Sequence, residues 1–390
     1  MMSVTDIRQW NYPTRVIFGV GAIERLPKLC EGQGMSRPLL VTDEGLKDTA
    51  LVSDTIALFK DGGTDVAVFA EVKGNPTGGN VDAGLKAFRE GGHDGVIAFG
   101  GGSGLDAGKA IALMVGQDLP IWDFEDAGSN WKKVKADNLI PVIAIPTTAG
   151  TGSEVGRASV ISNEETKEKK VIFHPSMMPA VALCDPGLTR GLPAHLTAAT
   201  GFDAFVHCFE ALCAPGYHPM ADGIALEGMC LAAEHLPEAV GDGNNMEARS
   251  HMMAAASMGA VAFQKGLGGV HALSHTIGAI YDTHHGLTNA VVMPYVIQAN
   301  RDVIGEHMQR IGRALGIDSP GFDSTFDWLM KYREEVGIPN TLADIEVPEE
   351  DADEIGARSI NDPCAGGNPA QHSASIYADI FRNAHRGDLG

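Results

Sequence analysis

The sequence lacks the cysteine spacing and the long apolar segment that are typical of secreted or membrane proteins. Its six cysteines form no C-x-x-C pair and mostly stand in apolar surroundings, which predicts reduced, buried thiols and a cytoplasmic protein. No run of 18 uninterrupted apolar residues occurs, so no membrane-spanning helix is expected. The segment MMSVTDIRQWNYP has no basic stretch followed by an apolar core, so we expect no signal peptide.

Basic residues are also scarce. The chain has 29 lysines and arginines against 50 acidic residues, which gives a formal net charge of -21. This balance argues against nucleic acid and anionic membrane surfaces as partners. An acidic surface also repels anionic small molecules, so an anionic substrate would need basic residues placed near it.

The chain has 390 residues, and its pattern of apolar residues changes once, near residue 190. Before that point, short β-branched runs such as those at 16–18, 38–43 and 65–72 alternate with helical stretches, which predicts a parallel sheet covered by helices. After it, the runs are long, rich in alanine and methionine and helical in period. We therefore expect an α/β domain over 1–188 and an all-α domain over 189–390.

A glycine-rich turn joins a strand to a helix at Gly100–Gly104. Residues without side chains let the backbone approach a pyrophosphate, and the free N–H groups at the helix start can bind it. The match to the relaxed GxGxxA pattern is weak and does not follow the first strand, where a dinucleotide fingerprint belongs. A tight βα turn without a ligand is the alternative interpretation.

Two further features favour a nucleotide. Asp43 ends a strand, where its carboxylate could accept hydrogen bonds from a ribose and would repel the 2′-phosphate of NADP. The second is a polar, glycine-containing loop at 147–154, which also follows a strand and carries hydroxyls and amides. Their alternatives are a helix-capping acid and a loop without a ligand.

Metal-ligating side chains cluster in the second half. Asp203 and His207 share one helical face at spacing i, i+4, and His271 and His275 do the same on another helix. His285 follows a break in the helical pattern. One carboxylate and several imidazoles suit Fe(II), Zn(II), Co(II) or Mn(II). Residue spacing alone does not decide which histidines are the metal ligands, because His275 and His284 compete with His271 and His285 for that role.

With these motifs the chain resembles the iron-containing (group III) alcohol dehydrogenases over essentially its whole length. The similarity is carried by strings that match segments of that family: PTRVIFGVGAIERLP, NPTGGNV, GGGSGLDAGK, PTTAGTGSEV, AATGFDAFVHCFEA, GLGGVHALSHTIGAIYDTHHGLTNAVVMPYV and NDPCAGGNPAQ. The resemblance implies a Rossmann-like N-terminal α/β domain and a helical C-terminal domain, as in dehydroquinate synthase. It also implies an NAD-dependent dehydrogenase in which a metal, Fe2+ in the first place, polarises the substrate oxygen for hydride transfer.

The resemblance assigns roles by position. The metal ligands fall on Asp203, His207, His271 and His285, and a non-ligand active-site histidine, a candidate proton relay, falls on His275. The positions that contact NAD in the family form a longer set: Asp43, Gly101, Gly102, Ser103, Thr147, Thr148, Thr151, Lys169 and Leu188. Lys170 is the alternative to Lys169, because the neighbouring lysines leave the register open.

The chain departs from the family pattern at Gln264-Lys265, at Gly156-Arg157 and at Ala370, where an arginine usually stands. Lys265 and Arg157 could hold a substrate carboxylate, as in a hydroxy acid or semialdehyde such as 4-hydroxybutyrate. The run Phe263–Gly268 is similar to that of the 4-hydroxybutyrate dehydrogenase-like branch. Ordinary surface or ion-pairing roles are the alternative for both cations.

Three other functions fit the sequence motifs quoted above less well than an iron-type alcohol dehydrogenase does. The alternatives are a zinc polyol dehydrogenase of the glycerol type, a dehydroquinate synthase-like lyase and a non-catalytic metal-binding protein. Small alcohols or aldehydes are the expected substrates, NADP is a less favoured cofactor than NAD, and Zn2+ or another divalent ion could replace iron. A homodimer is expected.

Overall fold

The chain folds into two structural units in this computed structural model, which describes residues 12, 14–60, 64 and 66–390. The N-terminal unit comprises 12–148 and 152–191, and the C-terminal unit comprises 149–151 and 192–390. The boundary expected at 188 stays a prediction. The expected absence of a signal peptide concerns residues 1–13, which, apart from Tyr12, lie outside the described residues.

A six-stranded parallel sheet organises the N-terminal unit, with strand order β1-β8-β5-β4-β2-β3. Its strands are β1 (Arg15–Phe18), β2 (Pro38–Asp43), β3 (Ala67–Val72), β4 (Gly95–Gly100), β5 (Val142–Pro146) and β8 (Val181–Cys184). β6 (Ala158–Asn163) and β7 (Glu168–Phe173) form a separate antiparallel hairpin. The predicted strand at 65–72 begins at Ala67 within the described residues, and Asp65 lies outside them.

Helices cover both faces of the sheet. They are α1 (Leu26–Gly32), α2 (Ala50–Ala57), α3 (Gly78–Gly91) and α4 (Gly102–Met114). Side chains alternate between the faces: Val96 and Ala98 of β4 belong to the core that α3 and α4 share, whereas Ile97 and Phe99 belong to the core on the side of α1 and α2. Burial on both faces explains why the central strands read as continuous apolar runs.

Small residues let α4 lie directly against the sheet. Gly100 ends β4 at φ 139°, a conformation that favours glycine. A Cβ at Gly104 would lie 2.6 Å from the carbonyl oxygen of Phe99, and one at Gly108 would lie 2.6 Å from the Cβ of Ala98. The glycines therefore set how closely the first turns of α4 approach β4.

The C-terminal unit is helical throughout its described elements. Its α-helices are α5 (Ala194–Cys213), α6 (Pro219–Gly241), α7 (Met246–Ala262), α8 (Gly269–Tyr281), α9 (His285–Ala299), α10 (Arg301–Ala314), α11 (Phe322–Glu335), α12 (Ala352–Ser359) and α13 (Ala374–Arg386). α5 is buried along most of its length and packs against α6, α7 and α9. An apolar helix of this kind belongs in a protein core.

The fold class is the one predicted: a parallel α/β domain followed by an all-α domain. Among the described residues, no helix combines the length and apolarity needed to cross a lipid bilayer.

Candidate metal centre and nucleotide loops

Four side chains converge in the C-terminal unit. Oδ1 of Asp203 lies 3.9 Å from Nε2 of His207, 3.9 Å from Nε2 of His271 and 3.8 Å from Nε2 of His285. The donor atoms of all four residues lie within 4.8 Å of one another. Asp203, His207 and His271 are buried, and His285 is partly exposed. The structure thus brings together the four residues that the resemblance named as ligands.

Local sequence explains how the helices come close enough. α5 supplies Asp203 and His207 one turn apart, α8 supplies His271, and α9 begins at His285. The residue after His285 is Gly286, where a Cβ would lie 2.6 Å from the carbonyl oxygen of Ala199 in α5. Glycine at this position allows the start of α9 to pack against α5.

The two competing histidines have other partners. Nδ1 of His284 accepts a hydrogen bond from the backbone N–H of Leu287 (3.2 Å) and so caps α9. Nδ1 of His275 lies 3.0 Å from Oδ2 of Asp362, and its ring stacks on that of His285 with centroids 5.3 Å apart. His275 is therefore placed beside the four-residue cluster and is oriented by a carboxylate.

Partners of the cluster were not identified from the sequence. Nδ1 of His271 lies 2.6 Å from Oε2 of Glu210, and Nδ1 of His285 lies 2.9 Å from the hydroxyl of Ser274. Glu210 follows His207 by three residues on α5, and this spacing is the one sequence signal that could have pointed to it.

The pKa values of the two buried histidines are shifted in opposite directions. Burial lowers the pKa of His207 to about 4, so its ring is neutral at neutral pH. Burial alone would also lower the pKa of His271, but the hydrogen bond and charge of Glu210 outweigh it and raise that pKa. A ring held by a carboxylate in this way is a more basic metal ligand.

The donor set fits a divalent cation. It combines one carboxylate oxygen and three imidazole nitrogens without a thiolate, which suits Fe(II) and Zn(II). The amide nitrogen of Asn289 donates to Asp203 (2.7 Å), while its buried Oδ1 has no hydrogen-bond partner. Turning this amide over would direct the orphaned oxygen toward a cation at the centre.

In the N-terminal unit, most of the expected NAD-contacting positions lie at the carboxyl ends of β2, β4 and β5. Gly101 precedes α4, and Gly102 and Ser103 open it. The backbone N–H of Thr147 donates to the carbonyl of Gly100 (2.9 Å), which joins the second loop to the glycine turn. A Cβ at Gly101 would lie 3.4 Å from the hydroxyl of Thr148. The open N-terminus of α4 therefore faces polar groups that suit phosphate and ribose.

Asp43 ends β2 beside this turn. Its Oδ1 accepts from the backbone N–H of Leu46 (3.1 Å), and its Oδ2 lies 3.1 Å from where a Cβ on Gly100 would stand. Burial raises the pKa of Asp43 despite these backbone hydrogen bonds. The turn-capping contact and a ribose contact are compatible, because a carboxylate has about four acceptor sites.

The remaining expected cofactor positions are more scattered. Lys169 donates a hydrogen bond to Oδ1 of Asn75 (2.8 Å). The neighbouring residue, Gly74, accepts a hydrogen bond from the hydroxyl of Ser103 through its carbonyl. Lys170 instead forms ion pairs with Glu125 and Glu168. Leu188 is buried in the α1/α2-side core beyond β8. Thr151 belongs to the C-terminal unit. Lys169 is thus the better placed of the two lysines.

The acid and lysine of the GGGSGLDAGK motif have a structural role. Asp106 accepts from the hydroxyl of Ser153 (2.5 Å) and from the backbone N–H of Val160 (2.8 Å). Lys109 is buried and donates to the carbonyls of Ser153 (3.0 Å) and Ala158. These contacts tie α4 to the second polar loop and to the β6–β7 hairpin.

Comparison with protein families agrees with both units. The model described as iron-containing alcohol dehydrogenase matches residues 13–186, and that of the C-terminal domain of the Fe-containing alcohol dehydrogenase family matches 197–385. The chain belongs to the iron-containing alcohol dehydrogenase family. Its members are oxidoreductases that act on CH–OH groups, which sets the chain apart from lyases and non-catalytic metal-binding proteins.

Individual relatives of this dehydrogenase family match along almost the entire chain. The 4-hydroxybutyrate dehydrogenase of Cupriavidus necator is 39% identical and covers 96% of this chain and 98% of its own. The NAD-dependent methanol dehydrogenase of Bacillus methanolicus is 35% identical, and the match covers 95% of this chain and 98% of the relative. The crystal structure of a 1,3-propanediol oxidoreductase superposes with a TM-score of 0.90 at 34% identity, covering 97% of this chain and 100% of that one.

The two cations that depart from the dehydrogenase family pattern lie in different units. Nζ of Lys265 is 2.6 Å from Oδ1 of Asp222 and 3.0 Å from the carbonyl of Leu212, with 5% of its side chain exposed. The guanidinium of Arg157 lies 5.6 Å from the ring centroid of Phe173. Lys265 therefore already has a carboxylate partner within the C-terminal unit.

The carbonyl of Ala370, the position at which the resemblance leads one to expect an arginine, accepts a hydrogen bond from Asn368 (2.8 Å). Oδ1 of Asn368 also accepts from the backbone N–H of Gly269 (3.0 Å). The C-terminal Asn-Pro segment thus anchors the start of α8, the helix that carries His271 and His275.

Proposed function

We propose that this protein is an NAD-dependent alcohol dehydrogenase that interconverts an alcohol and its aldehyde or ketone at a divalent metal ion held by Asp203, His207, His271 and His285. The observation that carries the proposal is the convergence of their four donor atoms within 4.8 Å, mostly buried. Membership of the iron-containing family supports Fe2+. Zinc or another divalent ion is expected to compete, because affinity follows the Irving–Williams order more than function.

When bound, the metal would supply Lewis acidity at the substrate oxygen, and NAD would supply the hydride acceptor. The chain's own residues position the reactants and handle the proton. Because Asp362 holds Nδ1 of His275 (3.0 Å), Nε2 is the nitrogen that can accept the alcohol proton and later return it, directly or through a water or a ribose hydroxyl. The stacking of His275 on His285 keeps this nitrogen beside the proposed centre.

For NAD, we assign the pyrophosphate to the N-terminus of α4, where Gly101, Gly102 and Ser103 present backbone N–H groups. The hydroxyls of Thr147 and Thr148 line the adjacent loop, and Asp43 is assigned to the adenosine ribose. The B. methanolicus relative, whose name specifies NAD, supports this cofactor. Thr151, Lys169 and Leu188 complete the proposed set on family position.

For the substrate, we propose a small alcohol, with 4-hydroxybutyrate as the first to test because a relative at 39% identity carries that activity in its name. Lys265 is already paired with Asp222 at 2.6 Å, whereas Arg157 interacts with the carboxylate of Asp126 without a close ion pair among the described residues, so Arg157 is the better candidate for the substrate carboxylate. Arg157→Met should then raise KM for 4-hydroxybutyrate and leave KM for 1-butanol unchanged. A clear preference of the wild type for 1-butanol would remove the hydroxy acid from the proposal.

Metal analysis after anaerobic purification, joined to an alcohol panel with NAD and NADP, tests the whole proposal. We expect about one divalent ion per chain and NADH formation that a chelator abolishes. His275→Ala should retain the ion and lose turnover. Turnover that persists without metal, or loss of the ion from His275→Ala, would contradict the assignments. The expected homodimer is tested in the same preparation by sedimentation velocity.

A further inference from the structure

Glu210 is a buried acid that no step of the proposed function uses. It lies on α5, three residues after His207 and seven after Asp203, so all three side chains share one face of that helix. It is 5% exposed, and its Oε2 lies 2.6 Å from Nδ1 of His271. Its other oxygen accepts from the backbone N–H of Val270 (2.8 Å). Both oxygens are therefore directed at the first turn of α8.

The contact with His271 fixes which ring nitrogen carries the proton. A carboxylate can only accept, so Nδ1 of His271 must be the donor, and Nε2 then keeps its electron pair. That Nε2 faces Oδ1 of Asp203 at 3.9 Å. Glu210 thus presets the form of His271 that can bind a cation.

Charge gives Glu210 a second effect. A divalent cation at the cluster would be matched there by the single charge of Asp203, and a buried charge without a partner is costly. Nδ1 of His285 contacts the neutral hydroxyl of Ser274, whereas Nδ1 of His271 contacts the carboxylate of Glu210. Glu210 therefore adds a negative charge at the outer nitrogen of His271.

We propose that Glu210 is the positioning residue of the metal centre: it holds His271 in its metal-binding tautomer and supplies the second negative charge that balances a divalent ion. This inference rests on the proposed metal centre. Removal of such an outer carboxylate typically lowers metal affinity 10- to 100-fold.

A purely structural role is the competing explanation, because Glu210 also caps α8. The residue before that helix, Gly268, has no side chain to cap it, and a Cβ there would lie 3.0 Å from Oε1 of Glu210. Glu210→Gln separates the two roles. The glutamine oxygen can still accept from Val270, whereas its amide N–H groups would make Nδ1 of His271 an acceptor and move the ring proton to Nε2.

The experiment measures Zn2+ affinity by competition with a chromophoric chelator and repeats it with Fe2+ under anaerobic conditions. It compares the full-length wild type with Glu210→Gln, Glu210→Asp and the charge-matched control Glu227→Gln, at an exposed position of α6. We expect a 10- to 100-fold weaker affinity for Glu210→Gln, a smaller loss for Glu210→Asp, and no change for Glu227→Gln. The melting temperature of the metal-free protein and the imidazole 15N shifts of His271 are measured alongside.

The outcomes are distinct. A tautomer change with weakened metal binding and a retained metal-free melting temperature supports the inference. If Glu210→Gln binds zinc as tightly as the wild type, or loses only metal-free stability, the inference fails while the metal centre stands. If Glu210→Gln does not fold, Glu210→Asp decides. A loss of zinc affinity smaller than about 10-fold supports the inference, because the carboxylate is kept but shortened. Unchanged affinity together with a changed His271 tautomer, or any gain of affinity, overturns it. If the wild type binds neither zinc nor iron, the proposed function fails as well.

Discussion

At the scale of single residues, the group that contacts the outer nitrogen of each histidine sets what that histidine can do. His271 meets Glu210 and His275 meets Asp362, whereas His284 is used by the backbone of α9. Two histidines held by carboxylates on adjacent turns of α8 can therefore take different roles. His271 directs Nε2 toward Asp203, and His275 lies outside that set of donor atoms.

Asp362 gives a prediction about turnover. Burial would raise the pKa of Asp362, but the charge and hydrogen bond of His275 outweigh it and lower that pKa, so the carboxylate stays ionised at neutral pH and below. Asp362→Asn should lower kcat by about 10²-fold, the lower end of what general acid–base catalysis contributes. Metal content should stay full, and exposed Asp353→Asn should behave as the wild type. Loss of metal from Asp362→Asn would instead assign Asp362 to the metal centre.

Asp43 gives a prediction about cofactor choice. A carboxylate at the adenosine ribose accepts hydrogen bonds from its hydroxyls and repels a 2′-phosphate. Asp43→Asn should therefore weaken NAD binding and reduce the difference between the affinities for NAD and NADP. Because burial raises the pKa of Asp43, the carboxylate is lost at a higher pH than for an exposed aspartate. NAD affinity of the wild type should therefore fall as pH decreases through this raised pKa, and that of Asp43→Asn should not.

Isothermal titration with NAD and NADP between pH 4.5 and 8 measures both effects. The exposed Asp48→Asn, on the same loop, is the control with an equal change in charge. Equal pH dependence in Asp43→Asn and the wild type would remove Asp43 from the ribose site.

Residue spacing predicted these sites only in part. Asp203 and His207 could be paired from the sequence because they lie one helical turn apart. Glu210 and His271 are 61 positions apart, and His275 and Asp362 are 87 apart, so no local period links them. Tertiary packing alone brings such partners together. The fold class and the family are confirmed, while the individual ligand and cofactor roles stay predictions.

At the scale of elements, strands that are buried on both faces were predictable and the hairpin was not. β2, β4 and β5 are apolar runs ended by glycine, proline or an acid, which is a clear strand signal. β6 and β7 are only half-buried and contain several polar and charged residues, so they carry no clear strand signal. Asp106 and Lys109 of the GGGSGLDAGK motif make hydrogen bonds to β6. The motif that predicted nucleotide binding therefore also holds α4 and the hairpin together.

Gly104 tests the close packing of α4 on β4. Gly104→Ala would place a methyl group 2.6 Å from the carbonyl oxygen of Phe99, which belongs to the sheet backbone and cannot move cheaply. We expect a loss of about 1–3 kcal/mol in the free energy of unfolding. Gly32→Ala, where the added Cβ meets nothing within 4 Å, should be neutral or slightly stabilising. Urea unfolding measures both, and equal stabilities would show that α4 is free to shift.

At the scale of the whole molecule, the two kinds of proposed site fall into different structural units. The four proposed metal ligands lie in the C-terminal unit, whereas the proposed NAD positions, apart from Thr151, lie in the N-terminal unit. Each unit has its own hydrophobic core. Ligands that bind only the folded state stabilise what they bind, so metal and NAD should act on different parts of the chain.

Hydrogen exchange measured by mass spectrometry checks this division. Zinc at 100 times its dissociation constant should stabilise the folded C-terminal unit by about 2.7 kcal/mol and slow exchange most in α5, α8 and α9. NAD should slow exchange most at the start of α4 and in the loops after β2 and β5. The metal pattern should vanish in His207→Ala, because that substitution removes one proposed ligand and leaves the N-terminal unit unchanged. Zinc protection of equal size in the two units would mean that metal binding is coupled to the whole chain, and it would contradict the assignment of metal and nucleotide to separate units.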